Sequence, residues 1–250
     1  MRNIVALTLT ILSLFSIETL AQDAKEIVRK SDEKLNGEKS SYSEMSMTIV
    51  RPKYQRRIAF KSWAEGNQKA LTYITYPAND KGKTFLKSGN NLWSWTPDIQ
   101  RIIKLPPSMM SQGWMGSDFS NDDILKESSF LKDYTQKLLK TDVVDNQSCW
   151  CIELLPLSRA NVVWGKIILW ITQQDYLQIK AEYYDEDKYL VKTHKGSKLA
   201  VFDGRKLPSI LEIIPSDDKD SKTVVKIEKM QFNKTFDANL FTQQNMKRVQ

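Results

Sequence analysis

The sequence predicts a mainly β chain: a largely antiparallel meander curved into an incomplete barrel, led by one N-terminal helix. Apolar and polar residues alternate with period two over most of the chain beyond residue 42, as in Met45, Met47 and Ile49 against Glu44, Ser46 and Thr48. Turn-forming clusters separate these runs, among them Glu65-Gly66-Asn67, Pro77-Ala78-Asn79-Asp80 and Gly89-Asn90-Asn91. Helical periodicity is largely confined to the start, so the strand–helix alternation of a parallel α/β sheet is missing.

Taken in order, Asp23 to Leu35 reads as a helix, with Ile27, Val28, Ser31 and Leu35 on one face and Asn36-Gly37 as its stop. Strands are expected at 42–51, 55–64, 68–76, 83–88, 91–96 and 99–105. A loop follows at 106–120, and Asp118 or Ser120 is placed to cap a short helix through Leu125, with Asn121, Asp122 and Asp123 favourable at its N-terminal dipole. Strands resume at 134–143, 147–155, 164–172, 177–184, 189–202, 207–214 and 222–232, roughly eleven to thirteen in all. Several are apolar on both faces. In 164–172, Trp164, Ile168 and Trp170 oppose Ile167, Leu169 and Ile171, so one sheet face is expected to pack against helices and the other to line a cavity.

The first residues read as a secretory signal. Arg2 precedes an uncharged apolar run from Ile4 to Ile17, followed by Thr19-Leu20-Ala21 with small residues where a signal peptidase reads. The run is shorter than the roughly 20 residues a membrane span needs. Cleavage is expected after Ala21, leaving one domain over 22–250 with no spanning segment. The mature chain loses Arg2 and Glu18 and keeps the formal net charge of +7. Lysines and acids are interspersed, as in Asp185-Glu186-Asp187-Lys188, so no basic stripe marks a nucleic-acid groove.

Chemistry-bearing motifs are scarce. Cys149 and Cys151, the only cysteines, sit two apart in a strand segment, where Cα atoms lie roughly 6.5–7 Å apart, at or beyond the edge of disulfide geometry. Reduced buried thiols are expected. No metal ligand set accompanies them. His194, the only histidine, lies between Lys192 and Lys195 and reads as a surface residue rather than a general base. Asp122-Asp123 reads as helix-start acids. No catalytic residue, metal or cofactor is expected.

The most informative stretch is 82–123. Trp93 and Trp95 share one strand face opposite Leu92 and Ser94, an aromatic wall. The adjoining loop carries Met109, Met110, Trp114, Met115 and Phe119, too apolar to stay in water, and methionine suits contacts that re-pack. Pro106-Pro107 stiffens its exit, while Gly113 and Gly116 supply backbone freedom. The combination reads as a lid over an apolar cavity, with Trp93 and Trp95 as wall.

Gly82-Lys83-Thr84-Phe85-Leu86-Lys87, Asn91-Leu92-Trp93-Ser94-Trp95-Thr96-Pro97, Arg101-Ile102 and Met115-Gly116-Ser117-Asp118-Phe119-Ser120 resemble the outer-membrane lipoprotein-sorting protein family, the LolA-like carriers. Ile179-Lys180-Ala181-Glu182-Tyr183-Tyr184-Asp185, Gly204-Arg205-Lys206-Leu207-Pro208 and Phe241-Thr242 continue the match over nearly all of the mature chain. The resemblance implies an unclosed barrel of about eleven strands with an N-terminal helix and short lid helices. It also implies a periplasmic, non-enzymatic carrier of lipoprotein or other lipid acyl chains, working between an inner-membrane transporter and an outer-membrane acceptor. An arginine latching the lid to the barrel is implied too, with Arg51, Arg56, Arg57 and Arg101 as candidates. The alternatives are an accessory docking on an inner-membrane exporter through the Met/Trp loop and, more remotely, a lipid hydrolase.

Overall fold

The computed structural model describes residues 15–66, 68–89, 91–121, 123, 129–160 and 162–250. Most of the expected leader, and Asp122 and Leu125 of the expected short helix, lie outside them. A helix, α1 (Phe15–Asn36), precedes β1 (Ser40–Arg51), β2 (Tyr54–Glu65), β3 (Lys69–Tyr76), β4 (Thr84–Ser88), β5 (Asn91–Thr96) and β6 (Arg101–Lys104). After a long connection come β7 (Tyr134–Val144), β8 (Gln147–Pro156), β9 (Lys166–Thr172), β10 (Gln178–Tyr184), β11 (Leu190–Phe202), β12 (Arg205–Pro215) and β13 (Lys222–Phe232).

These thirteen strands form one antiparallel sheet in the order β6-β5-β4-β3-β2-β1-β13-β12-β11-β10-β9-β8-β7. The barrel is unclosed, as expected, with thirteen strands, the upper end of the eleven to thirteen read from the alternation and two more than the resemblance implied. Its two halves meet where β1 pairs with β13, Met47 opposite Val225 and Ile49 opposite Thr223. Strands β6 and β7, neighbours in sequence, occupy the two opposite edges. The connection between them, residues 105–133, therefore has to cross the sheet.

It crosses the face that α1 also covers. Ala24, Ile27 and Val28 of α1 pack on Ile152, Leu154, Ile167, Leu169, Ile171 and Tyr183. Met47, Ile49, Ile58, Phe60, Ile74 and Val225 continue the same inner face and receive Trp114, Met115 and Phe119 of the connection. The Tyr183 and His194 rings (4.4 Å) and the His194 and Phe119 rings (6.1 Å) join the two regions. Helix and loop thus share one face, where the sequence suggested a helix on one side and a cavity on the other. The linker that joins the two edges brings its apolar side chains onto the face that the helix already covers.

The outer face carries two further apolar clusters. One gathers Cys149, Cys151, Trp170, Leu177, Ile179, Leu207 and Phe232. The other packs Leu71, Leu86, Trp63, Trp93, Trp95 and Ile102 beneath the C-terminal Leu240, Phe241, Met246 and Val249. The hydroxyl of buried Thr84 ties that tail down by donating to the Met246 carbonyl at 3.1 Å.

Both cysteines are free and buried, and burial pushes their thiols above the ordinary value. Neither should react with a thiol-specific reagent in the native protein, both should react in guanidinium, and the melting temperature should be the same with and without reductant. A drop in melting temperature on adding reductant would instead reveal a bridge.

Candidate functional site

The site is the contact between the 105–123 loop and the middle of the inner face. Gly113 starts it by close approach rather than by unusual torsion: its φ is −64°, and a Cβ there would meet the Ser117 carbonyl oxygen at 2.4 Å. A tight turn results. Trp114 N–H donates to the Phe119 carbonyl at 2.6 Å, Ser117 Oγ donates to the Trp114 carbonyl at 2.7 Å, and Gly113 bridges to Ser120. Met115 sits in the left-handed region (φ 54°, ψ 22°), followed by Gly116 at φ 79°. For a non-glycine residue that conformation costs about 1–2 kcal/mol, so packing holds Met115 against its backbone preference.

The turn drives Trp114 into the sheet, leaving it 2 % exposed, with edge-on ring contacts to Phe60 (5.5 Å) and Phe85 (5.3 Å). Its indole Nε1 is buried without a hydrogen-bond partner, a deficit of about 1–3 kcal/mol. Met110 packs on Leu92, Leu105 and Phe85 at one side, while the Met109 carbonyl accepts from Asn121 Nδ2 at 2.8 Å. The five apolar loop residues are thus partly or fully buried along one path, and the loop fills the inner face with its own side chains.

Trp93 and Trp95 are not part of this contact. They share a strand face, as the alternation predicts, but it is the outer one, beneath the C-terminal tail. Leu92, their pleat opposite, is the residue that meets the loop. Alternation separates the faces of a strand without saying which face a distant loop will cover.

Charges hold the loop down. Asp118 accepts from both Arg51 nitrogens, at 3.1 Å from Nη1 and 3.0 Å from Nη2, and Thr223 Oγ1 donates to it at 2.6 Å. Arg51 Nη2 also reaches the Gly116 carbonyl at 3.3 Å. Arg56 Nη1 donates to the Met115 carbonyl at 3.1 Å and Nη2 to Asp80 at 2.5 Å. Burial alone would raise the Asp80 pKa, but Lys83 and Arg56 outweigh it and hold the carboxyl below its ordinary value. Of the four candidate arginines, Arg51 and Arg56 are the two bonded to the loop among the described residues; Arg57 and Arg101 are exposed. Adjacent strands place them there, since Ile49 pairs with Arg56 and Arg51 with Tyr54 on the inner side of the β1–β2 hairpin.

At the far end of the loop, Ser120 and Asp123 exchange the hydrogen bonds of a capping box, at 2.7 and 3.1 Å. The expected helix-start role of Asp123 is present, with a second one added. Lys192 Nζ donates to Asp123 at 2.5 Å while lying 4.8 Å from the Trp164 ring centroid. Burial acts to raise the Asp123 pKa, yet Lys192 keeps it below the carboxylate norm. His194, expected on the surface, is 8 % exposed and lies under Phe119 with an unpartnered Nε2. Desolvation, then the Lys192 charge, lower its pKa to about 3. The flanking lysines misled because Lys192 is itself buried, paired with an acid far away in sequence.

Two measurements probe this arrangement. The unfolded chain takes a proton on His194 near pH 6.5 and the folded chain only near pH 3, so stability falls as pH drops through that interval. Asp123 adds a loss of the same sign below the ordinary carboxylate pKa of 3.8. The melting temperature should fall between pH 7.5 and 5, and by clearly less in His194→Leu. Separately, Gly113→Ala should loosen the loop by about 1–3 kcal/mol through overpacking, read as faster proteolysis within 105–123 at little change in global melting.

A family model described as "Uncharacterized protein" matches residues 66–248. No curated protein matches by sequence. Among solved structures, an outer membrane lipoprotein-sorting protein domain from Vibrio parahaemolyticus superposes with a TM-score of 0.81 at 20% identity, covering 91% of this chain and 100% of that one. A DUF1329 family protein from Desulfovibrio piger gives 0.82 at 21% identity, over 91% and 99% of the two chains. A LolA superfamily protein from Nitrosomonas europaea gives 0.74 at 24% identity, over 88% and 98%. The chain belongs to the family that the matching model describes, and its fold is that of the LolA superfamily and outer-membrane lipoprotein-sorting domains.

Proposed function

We propose that the protein is a periplasmic carrier that shelters the acyl chains of a lipoprotein or another lipid on its inner sheet face. One observation carries this reading: the apolar inner face is occupied by the protein's own Trp114, Met115 and Phe119, on a loop held by a few polar contacts. Such a loop acts as a plug that cargo replaces. Trp114 and Phe119 bury about 200 Å² each, together worth about 10 kcal/mol, and about twelve methylenes entering the same space are worth a similar amount at roughly 0.8 kcal/mol each. Near-equal terms make the exchange reversible, which loading and unloading both require. The left-handed Met115 and the unpartnered Trp114 Nε1 lower the cost of withdrawal.

The five loop residues Met109, Met110, Trp114, Met115 and Phe119 form the lid in this account, with Arg51 and Arg56 as its latches. Trp93 and Trp95 anchor the C-terminal tail instead of walling the cargo space. Loading at an inner-membrane transporter and delivery to an outer-membrane acceptor are part of this proposal, which the fold's likeness to a lipoprotein-sorting domain supports. Docking on an exporter through the Met/Trp loop has less support, because those side chains point inward until the lid opens. A hydrolase reading has none from His194, sealed from solvent with no acid or hydroxyl hydrogen-bonded to its ring among the described residues.

Protein purified from the periplasm should carry extractable lipid, and a fluorescent fatty acyl probe should bind the delipidated protein and shift tryptophan emission to the red. Trp114→Phe should remove most of that shift while retaining binding. Absence of both co-purified lipid and probe binding would end this reading.

A further inference from the structure

The inner face is apolar, yet it holds two cations neutralised by the loop: Arg51 by Asp118, and Lys192 by Asp123. Lys192 is buried, and the Arg51 side chain is about four-fifths so. Arg56 differs, because Asp80, its carboxylate partner, belongs to the β3–β4 turn and stays when the loop leaves. Withdrawing the plug therefore takes from each cation the carboxylate hydrogen-bonded to it beside apolar surface, and leaves Arg51 with the Val50 and Lys222 carbonyls and the more distant charge of Asp218. Losing a directly bonded counter-charge in such a place is unfavourable, so a cargo consisting only of hydrocarbon would fill the volume without replacing either ion pair.

The loop itself shows what meets them. In Trp114-Met115-Gly116-Ser117-Asp118-Phe119 a carboxylate is flanked by large apolar side chains, the chemical outline of an anionic amphiphile. Its carboxylate rests in a formed cradle. Arg51 approaches with the two-pronged geometry that suits carboxylate and phosphate alike. Thr223, fully buried, supplies a third donor at 2.6 Å.

We propose that the cargo is an anionic amphiphile whose phosphate or carboxylate headgroup takes the place of Asp118 against Arg51 and Thr223 while its alkyl chain takes the place of Trp114 and Phe119. This deepens the carrier reading and rests on it. The loop is then an internal stand-in for the ligand, and headgroup and chain each displace the part of the loop that resembles them. Lys192, released from Asp123, is a second point of anion contact for larger headgroups. The net charge of +7 adds long-range attraction for anionic ligands.

Calorimetry of the delipidated mature chain at pH 8 with decyl phosphate, decanol, decyltrimethylammonium and inorganic phosphate, all alkyl compounds below micelle formation, tests this. Decyl phosphate should bind at least about tenfold more tightly than decanol, as charge-assisted bonds imply, with decyltrimethylammonium weaker than decanol and inorganic phosphate weaker than decyl phosphate by about a hundredfold. Arg51→Gln should bring decyl phosphate and decanol to within about threefold of each other, with decanol binding kept or improved because the latch is loosened. Should that variant fail to fold, Thr223→Val should narrow the same ratio. Equal binding of decyl phosphate and decanol to the wild type overturns the headgroup inference and leaves the carrier standing. Binding of no alkyl compound overturns the carrier as well. Inorganic phosphate as tight as decyl phosphate marks a free-anion site and overturns the amphiphile, and a preference that survives both substitutions overturns the assignment to Arg51 and Thr223.

Discussion

A sheet that does not close, with sequence-adjacent strands at its two opposite edges, must be bridged by the chain that joins them. In this protein β6 and β7 are those edges, and residues 105–133 are that chain. The bridge packs across the inner face, so its side chains become part of the core. Trp114, Met115 and Phe119 follow from this constraint, as do the anchoring contacts at Arg51, Arg56 and Lys192. A closed barrel of about eight strands fills its interior with the strands' own residues. Leaving the barrel open creates both an apolar surface in need of cover and the segment that covers it.

The cover differs from an ordinary core in how it is held. Core strands here are tied by ladders of backbone hydrogen bonds over long registers, twelve residue pairs between β1 and β2 alone, so they open only with global unfolding. The loop instead depends on side-chain packing, a short internal turn and a small number of ion pairs at its ends. It also contains a left-handed methionine and a buried indole N–H with no acceptor. A segment that is apolar, weakly tied to its surroundings and held in its tight turn by packing can leave the face, and the turn relaxes as it does. That is the property the proposed carrier role asks of its lid, and it arises from the left-handed Met115 and the unpartnered Trp114 Nε1.

Strand positions were legible because alternation is a local signal: each expected strand appears within a few residues of its place, from β1 to β13. The loop's inward role was legible as well, since five large apolar side chains on one loop cannot face water. What escaped was every relation that needs register or distant partners. The pairing of Trp93 and Trp95 on one face was readable, but their burial under Leu240 to Val249 depends on a tail that lies more than a hundred residues on. Lys192 and His194 read as exposed because charge suggests solvent, and the acid that allows their burial, Asp123, comes from the 105–123 loop. Arg51 and Arg56 stood among four candidates until the β1–β2 register brought both to the inner rim beside Gly116 and Met115.

The central claim is that the 105–123 loop is a plug exchanged for an acyl chain. Site-resolved amide hydrogen exchange with and without decyl phosphate tests it most directly, through the Trp114, Ser117 and Asn121 amides, which the closed loop ties internally. Exchange at these amides should be slow in the empty protein and markedly faster on saturation, with the β1, β2 and β13 ladders unchanged. Tight binding that leaves the loop amides as protected as before would place the ligand elsewhere and contradict the account.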